Sequence, residues 1–63
     1  MENRLREFRT KKGLTQSELS NKASVSRTVI CQIETGEREV VTTETMKKIS
    51  NALGVKIDDI FLL

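Results

Sequence analysis

Helix start and stop signals in the middle of the chain constrain its fold more than any other feature. Thr15 and Glu18 have the spacing of a capping box, in which each side chain accepts a hydrogen bond from a backbone N–H of the first turn. Ser26 is a second candidate N-cap, and Gly36 suits the left-handed residue that often follows a helix. The signals predict two helices, over about residues 16–23 and 27–35.

The connection between these two helices is short. Ser24 and Ser26 are small polar residues that favour a turn, and Val25 between them can fill the angle. Two helices that cross steeply through so short a corner form a helix-turn-helix. The sequence therefore predicts this motif over about residues 15–35.

The second helix of the motif has two different faces. Val29, Ile30 and Ile33 form an apolar stripe that predicts contact with a core. The opposite stripe carries side chains that mostly can form hydrogen bonds and that include no acidic residue. Such a stripe would not be repelled by a partner whose groove is lined by phosphates. The residues of this stripe are Arg27, Thr28, Cys31, Gln32 and Thr35. An ordinary solvated face is the alternative, although such a face would more often carry Glu and Lys.

The remaining elements complete an all-α domain of five helices. The first helix is expected over about residues 3–12 and ends at Gly13, the fourth begins after Thr42 or Thr43 and ends at Gly54, and the last covers about residues 57–61. Their apolar spacing predicts a common core. The residues expected in it are Leu5, Phe8, Met46, Ile49, Ala52, Leu53, Ile57, Ile60 and Phe61.

Length and composition limit the classes of function. The 63 residues, 1–63, suffice for one domain with one core. One cysteine and no histidine exclude an internal disulfide and a zinc site built by this chain alone, and no cofactor is expected. No apolar run approaches the length of a membrane span and no signal peptide opens the chain, so we expect a soluble, cytoplasmic protein without a membrane partner.

The basic residues are concentrated in the first half of the chain. Residues 1–30 contain seven basic and three acidic side chains, whereas residues 31–63 contain four basic and six acidic ones. The net charge of +2 is too small to indicate a nucleic-acid partner by itself. The uneven distribution favours a basic face, with chance in a short chain as the alternative.

Several segments together resemble the Cro/cI-type family of phage-repressor-like DNA-binding domains. The similarity extends from about Leu5 to Phe61. The matching segments are Gly13 to Leu19, Val25 to Arg27, Ile33 to Gly36, Ala52 to Val55 and Ile57 to Phe61. The resemblance implies a five-helix domain that binds duplex DNA through its second and third helices, with the third in the major groove.

The resemblance also implies roles for individual residues. Arg27, Thr28 and Gln32 would read bases, with Gln32 pairing to adenine or Arg27 to guanine, although Arg27 could instead bind a phosphate. The residues expected to contact the DNA backbone are Gln16, Ser26, Thr35 and Arg38. Cys31 would face the DNA. Arg9 would pair with Glu34 and so connect the first helix to the third.

The segment after Gly36 departs from the family pattern. Glu37 and Glu39 stand where relatives often carry lysines, and the usual proline is missing from a connection that is one residue longer. Arg38 is the remaining basic residue there. Four apolar residues have no clear helical place and either pack on the core or cover a homodimer interface. They are Val40, Val41, Leu62 and Leu63.

Two classes of function remain open from the sequence. An enzyme is disfavoured, because no base lies near the one thiol in sequence and no glycine-rich phosphate loop is present. A sequence-specific regulator is expected to bind double-stranded DNA as a homodimer on an inverted repeat, most simply as a repressor without a small-molecule ligand. The alternative is a helical module that binds protein, supported by the acidic loop and the apolar C-terminus. An outward stripe of Arg27, Thr28 and Gln32 favours DNA.

Overall fold

Five helices form the described part of the chain, residues 3–61, in a computed structural model. They are α1 (Leu5–Lys11), α2 (Gln16–Ala23), α3 (Arg27–Thr35), α4 (Thr43–Leu53) and α5 (Ile57–Ile60). No strand occurs in residues 3–61, so the prediction of an all-α, five-helix fold is confirmed. None of these helices combines the length and apolarity needed to cross a bilayer. Leu62 and Leu63, two of the predicted interface residues, lie outside the described range.

The start of α2 has the predicted capping box. The Thr15 hydroxyl accepts a hydrogen bond from the Glu18 backbone N–H at 3.1 Å, and the Glu18 carboxylate accepts one from the Thr15 N–H at 2.9 Å. The hydroxyl of Ser26 caps α3 in a similar way, by accepting from the N–H of Thr28 at 3.2 Å. These contacts satisfy backbone donors that have no partner inside the helix.

The corner between α2 and α3 is held by Ser20, a residue that the sequence did not indicate. Ser24 has a φ of 56°, in the left-handed region, and allows the chain to turn sharply. Ser20 forms two hydrogen bonds with Val25, the residue after Ser24. The Ser20 carbonyl accepts from the N–H of Val25 at 3.1 Å, and the Ser20 hydroxyl donates to the carbonyl of Val25 at 2.6 Å. Val25 is half-buried against the core, as its predicted position in the angle requires.

The core lies between all five helices, with α2 packed against both α3 and α4. Four residues predicted to be buried, Phe8, Val29, Ala52 and Ile57, are only half-buried at its edge. Two cations, Arg4 and Lys11, lie over the Phe8 ring at 5.3 and 5.6 Å from its centre. The buried apolar residues are Leu5, Leu19, Ala23, Ile30, Ile33, Val41, Met46, Ile49, Leu53, Ile60 and Phe61.

The two ends of the described chain meet, and this contact shortens α1 and α5 relative to the prediction. Asn3 forms an antiparallel bridge with Phe61, and the backbone N–H of Arg4 donates to the carbonyl of Ile60 at 2.7 Å. Phe61 has extended backbone angles, so it pairs with the N-terminal segment and does not continue α5. Its side chain is nevertheless buried, as predicted.

The connection from α3 to α4 separates the two adjacent valines. Val41 is only 8% exposed and packs into the core, whereas Val40 is 76% exposed. Val41 therefore follows the core alternative, whereas Val40 does not. Thr42, and not Thr43, is the N-cap of α4, since its hydroxyl accepts from the N–H of Thr45 at 3.2 Å.

Candidate nucleic-acid interface

A depression of about 480 Å³ lies between the start of α2 and the outer face of α3. Its lining residues are Gln16, Arg27, Thr28, Cys31, Gln32 and Glu37. The structure thus brings together the three residues predicted to read bases, one predicted phosphate ligand and the cysteine predicted to face DNA. Glu37 is the one acidic residue in this set.

The outer face of α3 is open to solvent. Arg27, Thr28, Cys31 and Thr35 are exposed, while Gln32 is half-buried. The apolar stripe of the same helix packs in the opposite direction, with Ile30 fully buried. Because core packing and N-capping leave the polar stripe unoccupied, α3 presents hydrogen-bonding side chains to the outside.

Glu34 ties α3 to the two preceding helices. Its side chain is fully buried, with 0% exposure, and its carboxylate accepts from Arg9 Nε at 2.7 Å and from Arg9 Nη2 at 3.2 Å. Arg6 Nε and Gln16 Nε2 each donate to the same carboxylate at 3.2 Å. The structure thus contains the Arg9–Glu34 pair implied by the family resemblance. Arg6 and Gln16 are members of this Glu34 cluster that the sequence did not indicate.

The charges in the Glu34 cluster stabilise one another. Burial by itself would raise the pKa of Glu34, but hydrogen bonds from Arg9, Gln16 and Arg6 outweigh it and hold the pKa below its usual value. The hydrogen bond to Glu34 raises the pKa of Arg9 in turn. Arg9 also donates from Nη1 to the carbonyl of Leu14 at 2.7 Å, next to the start of α2. The cluster therefore fixes how α1, α2 and α3 meet.

Gln16 belongs both to the Glu34 cluster and to the lining of the depression. One N–H of its amide is directed to Glu34. A primary amide has two N–H groups and an oxygen, so Gln16 retains polar atoms for an external ligand while its position is fixed from inside. This arrangement suits a side chain that contacts the sugar-phosphate backbone at a constant place.

Arg38 does not extend freely from the loop after α3. Its Nη2 donates to Gln32 Oε1 at 2.9 Å, and its backbone N–H donates to the carbonyl of Gln32 at 3.2 Å. Its Nε is buried and has no partner in the described part of the chain. The structure therefore directs Arg38 toward Gln32, a contact that sequence reasoning missed because it forms across the turn at Gly36.

Known proteins have sequences similar to this chain. A family model described as helix-turn-helix matches residues 5–60. The chain belongs to the Cro/cI-type helix-turn-helix family. It is 40% identical over 62 residues to an uncharacterized HTH-type transcriptional regulator of Methanocaldococcus jannaschii, an alignment that covers 98% of this chain and 92% of that protein.

Further relatives of this helix-turn-helix domain differ in length. An uncharacterized HTH-type transcriptional regulator of Archaeoglobus fulgidus is 37% identical over 62 residues, which cover 98% of this chain and 87% of the relative. A segment of the glutamine–fructose-6-phosphate aminotransferase of Methanocaldococcus jannaschii is 34% identical over 58 residues, 92% of this chain but 5% of that protein. Family membership and the regulator relatives place the chain in DNA-binding transcription regulation.

Proposed function

We propose that this domain is a repressor that binds an inverted repeat in duplex DNA as a homodimer. The observation that carries the proposal is the outer face of α3, where Arg27, Thr28 and Gln32 line one depression beside the start of α2. An α-helix fits the major groove, where each base pair presents a distinct pattern of donors and acceptors. Repression requires only that the bound protein occupies the site.

The proposed contacts divide into those that position the protein and those that read sequence. Arg27, Thr28 and Gln32 read base edges from α3. Gln16, Ser26 and Thr35 bind the sugar-phosphate backbone, which carries no sequence information directly. The Ser26 hydroxyl accepts the capping bond from Thr28 and retains its own O–H for donation to a phosphate.

The size of the domain supports binding as a pair. Its longest dimension is 24 Å, whereas successive major-groove half-sites on one face of DNA are about 34 Å apart. One copy therefore contacts a single half-site, and a two-fold pair would match a palindrome. Val40, an exposed large apolar residue, is one candidate for the shared interface, together with Leu62 and Leu63.

Selection of bound duplexes from a random pool tests the proposal. The expected product is an inverted repeat whose half-sites are centred about 10 base pairs apart. Sedimentation should show a dimer that weakens when Val40 is replaced by Ser, with Val55→Ser as a half-buried control outside the proposed interface. A pool that yields no enriched motif would overturn sequence-specific binding, and an enriched motif without symmetry would overturn the dimer.

Single substitutions then separate reading from positioning. Arg27→Ala and Gln32→Ala should each cost about 1–3 kcal/mol on the preferred site and less on a site already altered at the contacted base pair. Gln16→Ala should instead weaken binding to all sequences by a similar factor. Equal losses on every sequence for all three variants would show that α3 does not read bases.

A further inference from the structure

Arg38 holds one end of the Gln32 amide. The guanidinium donates to Gln32 Oε1 at 2.9 Å, while the Arg38 backbone N–H donates to the Gln32 carbonyl at 3.2 Å. The two residues are thus joined through both the side chain and the main chain of Arg38. A hydrogen bond with a charged donor is stronger than a neutral one, so the orientation of the amide is well determined. Gln32 lines the depression on the outer face of α3, and Arg38 does not.

The other end of the Gln32 amide is open. Nε2 has no hydrogen-bond partner among residues 3–61, and it is not one of their buried unsatisfied atoms. The oxygen and the nitrogen of an amide are bonded to the same trigonal carbon and point in different directions. Because the oxygen is turned to Arg38, the NH₂ group is turned away from it. Gln32 therefore offers two donors to an approaching ligand, while its oxygen already accepts one hydrogen bond from a charged donor.

The environment of Arg38 indicates a role inside the protein. Its side chain is half-buried, and its Nε is enclosed without a partner. An enclosed Nε is not available for the two-pronged phosphate contact that uses Nε and a terminal nitrogen, and Nη2 already donates to Gln32. The part of Arg38 that forms a side-chain hydrogen bond in the described chain is Nη2, and its acceptor is Gln32.

Base edges in the major groove respond differently to such an amide. Guanine presents two acceptors, N7 and O6, whereas adenine presents the acceptor N7 and the donor N6–H₂. The paired contact of glutamine with adenine requires both the amide oxygen and the amide nitrogen. In this structure the adenine amino group would have to share the amide oxygen with the Arg38 guanidinium, a second and positively charged donor.

We infer that Arg38 is a positioning residue that holds the Gln32 amide with its NH₂ group directed at the ligand and so favours guanine over adenine at the base pair that Gln32 contacts. The inference rests on the proposed base-reading role of α3. It replaces the adenine contact expected from the sequence with a guanine contact, because the tertiary structure directs the amide oxygen toward the Arg38 guanidinium.

Arg38→Met tests the inference, because methionine keeps much of the side-chain length and removes every N–H donor. Duplexes carrying G or A at the base pair contacted by Gln32 are compared by fluorescence anisotropy at two salt concentrations. We expect wild-type protein to prefer G, and the ratio of G to A affinities to fall at least tenfold in the variant. Preferences at the other base pairs and the salt dependence should stay unchanged. Lys47→Met is the matched control, because it removes one charge from a second depression, between α4 and α5, on another part of the surface.

A double-mutant cycle shows whether Arg38 acts through Gln32. In a Gln32→Ala background, Arg38→Met should have no further effect on the G-to-A ratio. A contact to phosphate predicts another pattern: Arg38→Met would weaken all sequences equally and lower the salt slope by about one. That pattern with an unchanged G-to-A ratio would overturn the inference.

A second measurement does not need an Arg38 variant and so remains decisive if Arg38→Met fails to fold. Selection with wild-type and Gln32→Ala proteins identifies the base pair whose preference disappears with the amide. Guanine at that position supports the inference, and adenine overturns it. If no position changes, Gln32 does not read a base and the inference fails, while an enriched inverted repeat would still support the proposed DNA binding.

Discussion

Glu34 and Gln32 lie two residues apart on α3 but have opposite surroundings. The Glu34 side chain is fully buried and accepts hydrogen bonds from three side chains. Gln32 is half-buried, receives one side-chain hydrogen bond, and keeps its NH₂ group open. One residue of the helix is saturated by the protein and the other is only oriented by it. The proposed reading role of α3 needs both, because a ligand-binding side chain is effective only on a backbone that is held in place.

The largest effect is expected from Glu34→Gln, which breaks the saturated site. The substitution removes the charge that Arg9 requires and places an NH₂ group among N–H donors. Loss of one partner from a buried ion pair should reduce the free energy of unfolding by about 3 kcal/mol. For a domain of this size the melting temperature should fall by roughly 15 °C. Urea and thermal unfolding followed by circular dichroism measure both quantities.

Glu44→Gln is the control for this prediction. Glu44 pairs with Lys48 at 3.7 Å on α4, and its side chain is 80% exposed. An exposed pair of this kind contributes at most about 0.5 kcal/mol, so the same chemical change should have little effect. Equal losses in the two variants would show that the Glu34 cluster is not a special source of stability.

A thiol adduct on Cys31 tests whether DNA binds at the outer face of α3, the face to which Gln32 belongs. Cys31 is the only cysteine of the chain, is exposed and lines the depression. A bulky maleimide adduct there should weaken DNA binding at least tenfold by steric exclusion, and should leave the circular dichroism spectrum and melting temperature nearly unchanged. Cys31→Ser protein treated with the same reagent is the control. Full affinity after complete labelling would place the DNA on another face.

Acid should weaken the Glu34 cluster. The hydrogen bonds from Arg9, Gln16 and Arg6 outweigh burial and lower the pKa of Glu34 from an ordinary value of 4.5. A lowered folded-state pKa adds stability that is fully present above the ordinary value and is lost as pH falls through the folded-state value. The difference in unfolding free energy between wild type and Glu34→Gln should therefore be constant from about pH 7 to 5 and narrow below about pH 4.5.

The comparison of these two proteins isolates Glu34 from other carboxylates. The pKa values of Glu7 and Glu18 are also lowered, by hydrogen bonds to Arg4 and Thr15 respectively. Both residues are present in wild type and in the variant, so their contributions cancel in the difference. Urea unfolding at a series of pH values measures the difference in unfolding free energy between the two proteins. A difference that widens toward low pH would contradict a lowered pKa of Glu34.

The smallest effect is expected from Glu37→Gln. Glu37 is the acidic residue that lines the depression, and removing its charge reduces repulsion from DNA phosphates. Affinity should rise by about threefold on all sequences at low salt, with the gain reduced at high salt. Glu44→Gln again serves as the control in an anisotropy titration. A loss of affinity confined to one sequence would instead indicate that Glu37 accepts a hydrogen bond from a cytosine amino group.

The sequence alone determined the features that depend on neighbouring residues. The capping box at Thr15, the N-cap at Ser26 and the termination at Gly36 form between groups a few residues apart, so spacing predicts them. The division of α3 into a buried stripe and an open polar stripe follows in the same way from helical periodicity. These local signals were sufficient for the fold class and for the location of the candidate interface.

Tertiary structure decided the contacts whose partners come from separate elements. The convergence of Arg6 and Gln16 on Glu34, the bond from Arg38 to Gln32, and the burial of Val41 beside exposed Val40 depend on how the helices and the long connection pack. The same polar side chain can point to solvent or to a distant partner without any change in local spacing. Which one it does depends on where the packed core places the partner, and that placement determines which atoms of Gln32 remain available to an external ligand.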